Sequence, residues 1–202
     1  MHCQNCGAPI RREIETSKLV ACTHCNTTQM LVDDVFRNAG QQGVMQDIPG
    51  LLTLGREAKI AGERVRPIGQ IRLSYGRGWW DEFWCLFRKG PVWISVDEGD
   101  VAVERPMPPD DWPKGFTPRL GAHVKIAGLD FTVAEAQTAE CIAVRGELPE
   151  VIAIGERHNY YDLSGPQGAL ATLERWDGQE AWFFGDWIDP WEVEESPEAA
   201  RA

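Results

Sequence analysis

Apolar and polar residues alternate along most of this chain in short runs broken by Gly, Pro and Asp, and no long stretch repeats with a 3.6-residue period. Alternation with period two puts successive side chains on opposite faces of a strand, so the pattern predicts β-structure rather than helix. The predicted strands are 58–61, 64–73, 83–87, 92–96, 101–104, 124–126, 131–136, 141–145, 160–163, 171–175 and 181–184. Gly62 and Gly128 mark hairpin turns. Many short strands joined by tight turns imply small barrels or a sandwich.

Two stretches interrupt this pattern. Residues 33–50, rich in Gln, Gly and Asp, read as a linker with one helical turn at Val35 and Phe36. Residues 106–120 hold five of the chain's 13 prolines and read as a connection, because proline lacks the N–H that a strand or helix interior needs. The expected organisation is therefore a ribbon at 1–32, the linker, a first β unit at 51–105, the Pro-rich connection, a second β unit at 121–192 and an acidic tail at 193–202 that frays.

The ribbon rests on four cysteines. Cys3-Gln4-Asn5-Cys6 and Cys22-Thr23-His24-Cys25 are CxxC pairs separated by fifteen residues, the spacing of a four-thiolate zinc site. Gly7 and Asn26 follow the two pairs, where a metal knuckle asks for positive φ. Strands at 10–14, 18–21 and 28–32 complete a zinc-ribbon layout. A segment of about 30 residues buries too little apolar surface to fold alone, and zinc supplies the missing free energy. His2 and His24 flank a set already filled by sulfur. Disulfides would need an oxidising compartment, and a ligand at residue 3 leaves no room for an export signal, so the expected location is cytoplasmic.

Charge narrows the partners. The chain has 202 residues, 31 acidic and 20 basic, for a formal net charge of −11. Nucleic-acid binding needs clustered Lys and Arg, and none cluster here, so no nucleic acid is expected. A protein partner or a cationic small molecule suits this balance. No apolar run approaches the roughly 18 residues that span a bilayer, although association with membrane-linked complexes stays open.

An internal echo predicts duplication. Residues 55–62 and 121–128 agree at five of eight positions, and each copy leads to an aromatic pair with an aspartate, Trp79-Trp80-Asp81 and Tyr160-Tyr161-Asp162. The early Gly…Gly hairpin, Gly78-Trp79-Trp80-Asp81-Glu82-Phe83, and Tyr161-Asp162-Leu163-Ser164-Gly165 followed by Leu173-Glu174 resemble the bacterial family catalogued as domain of unknown function 4178, over about residues 50 to 190. The resemblance implies an N-terminal zinc ribbon in many members and no established activity. It also implies gene neighbours that are membrane-associated or polyamine-related, hence an envelope or stress setting.

Nine tryptophans are core material first. Trp79 and Trp80 are adjacent, so in a strand they face opposite sides. With Asp81 and Glu82 beside them, and with Tyr160, Tyr161 and Asp162, they form a candidate ligand or partner surface suited to a cation or an arginine-bearing peptide. The bland alternative is an aromatic hairpin with solvated acids. Cys85 and Cys141 lie in apolar strands and read as inert thiols; neither they nor His123 and His158 sit in a nucleophile motif, so no catalytic residue is assigned. The expected fold is mostly β: a zinc ribbon (Cys3, Cys6, Cys22, Cys25, structural Zn²⁺) leading two small duplicated barrel-like or sandwich units. The expected role is a non-enzymatic protein-interaction or adaptor module. The alternative is a small-cation (polyamine-like) sensor or enzyme using the Trp79–Glu82 and Tyr160–Asp162 surface.

Overall fold

The computed structural model describes residues 1–32, 35–41, 43, 45 and 50–195, with only the backbone described at 32, 35–39, 41 and 195. It is mostly β. Its strands are β1 (Leu19–Ala21), β2 (Thr27–Val32), β3 (Val35–Gln41), β4 (Ala58–Ile60), β5 (Glu63–Ser74), β6 (Trp79–Phe87), β7 (Val92–Asp97), β8 (Asp100–Pro106), β9 (His123–Ile126), β10 (Leu129–Leu148), β11 (Arg157–Ser164), β12 (Ala169–Trp176), β13 (Gln179–Ile188) and β14 (Val193–Glu195). All named pairings are antiparallel, and they close a circuit: β5–β6–β7–β8–β13–β12–β11–β10 and back to β5.

Local chemistry explains the circuit. Four two-residue turns join neighbouring strands at Ala61-Gly62, Glu98-Gly99, Ala127-Gly128 and Asp177-Gly178, each with positive φ at both positions. Such turns match the strand twist, and a glycine in second place removes half of the steric cost. The β8–β13 seam needs a different glycine. A Cβ on Gly185 would stand 1.8 Å from the Val103 carbonyl oxygen, so only a bare Cα lets the two strands meet.

The two halves repeat each other through their hydrogen bonds. Gly55 N–H donates to the Pro67 carbonyl at 2.8 Å, and Gly121 N–H to the Val133 carbonyl at 2.9 Å. A bulge follows in both, between Pro67 and Gly69 and between Val133 and Glu135. The second landmark of the sequence echo is out of step, however. Leu73 pairs with Trp80 and Ala139 with His158, so Trp80 corresponds to His158 and Glu82 to Tyr160. Matching Trp79-Trp80-Asp81 to Tyr160-Tyr161-Asp162 is wrong by three residues, and an odd shift reverses every face.

Each half presents two apolar faces. One face of the first half packs Ile60, Val65, Phe83, Cys85 and Ile94 into its own cluster. The matching face of the second half packs Ile126, Phe131, Leu163, Leu173 and Trp182, covered by Trp112 and Phe116 of the Pro-rich connection. The opposite faces look into the circuit, where Ile71, Leu73, Trp84, Trp93, Cys141 and Tyr160 join a third cluster. Leu19 of β1, fully buried, belongs to that third cluster too.

Several expected boundaries move. Segments 131–136 and 141–145 are one strand, β10, kinked by two bulges rather than cut by a turn. Val35 and Phe36 open strand β3, not a helical turn, because β2 offers a ladder partner. Residues 10–14 are not a strand; the Glu13 and Ile14 N–H groups donate instead to the Glu147 carboxylate. Val193–Glu195, expected in a fraying tail, pair with β4 as β14. Residues 196–202, and 33, 34, 42, 44 and 46–49 of the expected linker, lie outside the described residues.

Candidate functional sites

The four N-terminal cysteines converge. Their sulfurs all lie within 4.8 Å of one another, with Cys3 Sγ 3.7 Å from Cys25 Sγ and Cys6 Sγ 3.8 Å from Cys22 Sγ. Both knuckles turn alike: Gly7 N–H donates to the Cys3 carbonyl and Asn26 N–H to the Cys22 carbonyl, each at 2.9 Å, with φ of 75° and 58° at those donors. The Asn5 N–H points at Cys3 Sγ at 3.4 Å and its side-chain amide at Cys25 Sγ at 3.6 Å, the donors a thiolate attracts. Thr27 and Asn5 hold the Cys25 thiol down to about 5. The arrangement is compatible with a metal site that has no open position.

The second site is the hollow inside the strand circuit, a cavity of about 490 Å³. Strand alternation builds its wall. From the first half come Trp80 and Glu82 on β6, Trp93 and Asp97 on β7, and Asp100 and Glu104 on β8. From the second come Glu135 on β10, His158, Tyr160 and Asp162 on β11, Glu174 and Trp176 on β12, and Phe183 and Trp187 on β13. The segment between β10 and β11 adds Glu150 and Glu156. Among the described residues the wall thus carries nine carboxylates and seven aromatic rings, with neither Lys nor Arg. A single histidine is its only residue able to become cationic.

Burial without a countercharge sets the chemistry. Burial, then the neighbouring Glu174 charge, pushes the Glu82 carboxyl up to about 8. Burial, then Glu150, pushes Glu174 up to about 8. Asp162 rises to about 6 by burial, against a 3.0 Å bond donated by the Thr172 hydroxyl. Glu104 is only 7% exposed; burial and the Asp162 charge raise it, and its Oε1 has no hydrogen-bond partner. Burial holds the His158 ring below its ordinary value, with Nε2 3.7 Å from Glu174. At neutral pH Glu82 and Glu174 keep their protons for want of a cation.

Aromatic groups order the acids. The Trp80 indole donates to Glu82 at 2.8 Å, and the Tyr160 hydroxyl donates to Glu135 at 2.8 Å. Trp80 lies edge-on to Tyr160, ring centroids 5.3 Å apart, with Tyr75 stacked at 6.1 Å. The seven surface residues expected from sequence therefore divide. Trp80, Glu82, Tyr160 and Asp162 line the cavity together, while Trp79, Asp81 and Tyr161 do not. Arg72 takes Asp81 in a two-pronged pair, both bonds 2.8 Å, and its guanidinium lies 3.8 Å from the Trp79 ring centre. Tyr161 packs with the second half's own cluster.

Sequence reasoning missed Asp97, Glu104, Glu135, Glu174, Trp93 and Trp176. Their signal was an acid or aromatic recurring at every second position of a strand whose alternate positions are apolar. His158 does line the cavity, as does Cys141, whose thiol burial pushes up to about 12; Cys85 is sealed in the first half's cluster. Among the described residues no helix is long and apolar enough to cross a membrane. No curated protein and no solved structure matches this chain. The family profile described as Domain of unknown function (DUF4178) matches residues 54–190, the span that builds the cavity, and the chain belongs to that family.

Proposed function

We propose that this protein binds a small organic cation bearing several ammonium groups, a polyamine-like ligand, inside the strand circuit, and that a structural zinc ion holds its ribbon. The carrying observation is the wall itself, nine carboxylates and seven aromatic rings without a Lys or Arg among the described residues. Ammonium groups suit both parts, by ion pairing with the acids and cation–π contact with the rings. A bare metal ion suits the cavity less well. Among the described residues, the cysteines are the one group of three or more donor atoms close enough to hold a metal ion, and no three carboxylates of the wall form such a group. The cavity's volume lies within the range of small-ligand sites. Burial pushes the Cys141 thiol on the wall up to about 12, so it offers no thiolate nucleophile.

Titration calorimetry and thermal shift with putrescine, spermidine, choline and calcium test this reading. Saturation with an amine at 100 times its Kd adds about 2.7 kcal/mol of stability. Absence of any shift at millimolar amine overturns it, and tight calcium binding by the cavity replaces it. A partner-docking role keeps one supporting observation. Trp191 is 90% exposed beside Asp189 and Glu192, a surface fit for a basic peptide. The four-thiolate set is the chemistry of structural zinc; elemental analysis is expected to find one equivalent, and substantially less than one overturns the zinc reading.

A further inference from the structure

The cysteine ribbon does not stand apart from the cavity; it is pinned to the strand that leads into the cavity wall. Strand β1 pairs with the end of β10, Leu19 opposite Leu148 and Val20 opposite Glu147, and Lys18 N–H donates to the Leu148 carbonyl at 3.0 Å. Glu147, 4% exposed, turns its carboxylate into the ribbon. That carboxylate accepts from Glu13 N–H at 2.6 Å, Ile14 N–H at 2.8 Å and the Ser17 hydroxyl at 2.5 Å. All three donors belong to the segment between the two CxxC knuckles. A short segment such as this keeps its shape only while the knuckles are tied together.

Three residues beyond Glu147 the chain becomes cavity wall. Glu150, Val151, Ile152 and Glu156 line the hollow. The far end of this segment is anchored to β10: Cys141 N–H donates to the Glu156 carbonyl at 2.9 Å and Gly155 N–H to the Cys141 carbonyl at 2.7 Å. At the near end the β5 ladder stops at Gly146, opposite Gly69, and the next two residues, 147 and 148, pair with β1 of the ribbon. Ile14 of the ribbon and Ile152 of the segment pack against the same apolar cluster as Leu19.

Resting on the cation-binding reading for its ligand, we infer that the ribbon is a metal-dependent clamp for the 149–156 wall of the cavity, with Glu147 as the positioning residue that transmits it. Glu147 itself does not line the cavity. With the knuckles tied, the clamp holds Glu150 and Glu156 at the hollow. With the metal gone, the Glu13–Ser17 donors leave, and a buried carboxylate is left without partners. It then pulls the end of β10 toward water, and the acidic wall moves with it. Metal supply would thereby set the affinity for the cation.

The experiment uses the full chain, metal-loaded and chelated, followed by hydrogen exchange and by spermidine calorimetry. Chelation is expected to raise exchange at least tenfold in residues 147–156, to leave the β7–β8 hairpin protected and to weaken spermidine at least tenfold. Glu147→Gln, retaining one equivalent of metal, is expected to reproduce both effects. Equal protection of 147–156 with and without metal overturns the inference. So does loss of protection across the β7–β8 hairpin, which would make the ribbon a condition of the whole fold. If the loaded protein binds no amine, the cation reading fails, while the exchange measurement still decides the clamp.

Discussion

The sharpest consequence of an acid-lined hollow without basic partners concerns stability against pH. Glu174 is raised from 4.5 to about 8, with burial the main cause and the Glu150 charge second. About a fifth of its side chain is open to solvent. An acid whose folded value lies above its unfolded value binds more protons when folded, so stability falls as pH rises between the two values. Each pH unit in that window removes up to about 1.4 kcal/mol per group. From pH 6 to pH 8 Glu174 alone removes about 2 kcal/mol, the loss ending as pH passes the folded value. Glu174→Gln deletes this contribution and also relieves Glu82, for which the Glu174 charge is the second cause of a rise to about 8. Urea unfolding of metal-loaded, ligand-free protein at pH 6, 7 and 8 measures the slope. Wild type is expected to weaken steadily and the Gln variant to flatten by about 2 kcal/mol over the range. A wild type that gains stability from pH 6 to pH 8, or a variant with unchanged slope, refutes the argument that these acids are held neutral by lack of a cation.

Other substitutions separate the faces and the parts. Trp80→Ala is expected to weaken amine binding at least tenfold by calorimetry, whereas Trp79→Ala, which only uncovers Arg72 on the other face, leaves the Kd within twofold. Glu104→Gln keeps the shape of the wall but removes a carboxyl able to ionise against an ammonium group; it is expected to weaken spermidine at least tenfold by calorimetry. Gly185→Ala drives a Cβ to 1.8 Å from the Val103 carbonyl and is expected to cost about 3 kcal/mol or to prevent folding, seen as loss of soluble protein or of urea midpoint. Cys22→Ser is expected to lower metal content well below one equivalent by elemental analysis, because a closed four-sulfur site loses a ligand.

What was legible in the sequence was whatever local chemistry decides. Two CxxC pairs bring their sulfurs together because each knuckle is a turn of a few residues, and Gly7 and Asn26 take the positive φ expected of them. Strand positions follow from alternation, and the Ala-Gly and Asp-Gly turns follow from backbone freedom. The opposite facing of Trp79 and Trp80 is a consequence of strand geometry alone. What could not be read was pairing at long range. Nothing local says that residue 104 meets 185, or that 73 meets 141, yet those pairings create the hollow. The same ignorance produced the three-residue error in aligning the repeats, since aromatic–aspartate matches carry no register. Glu147 was invisible for a related reason: a lone acid in an apolar strand acquires meaning only when Glu13, Ile14 and Ser17 arrive from over 130 residues away.

Corrected register changes what the repeat says about the ligand. Counting by ladder pairs, Glu82 corresponds to Tyr160, Trp84 to Asp162, Asp97 to Trp176 and Glu104 to Phe183. At each of these places one half carries an acid and the other an aromatic ring. A duplicated scaffold with like residues at like places would hold a two-fold hollow. Here the halves have parted, so the charge is distributed unevenly along the axis. The β7–β8 and β12–β13 hairpins lie at opposite ends of the β8–β13 seam, as the antiparallel register requires. One end therefore offers Asp97 and Asp100, and the other offers Trp176 and Glu174, with Glu150 and Glu156 added by the segment between β10 and β11. On the proposed reading, an amine threading this hollow meets an acidic end built by the first half and a second end whose acids come partly from outside the repeat. On that reading the two ends of a bound ligand are not interchangeable, and the proposed control through the ribbon acts on one of them.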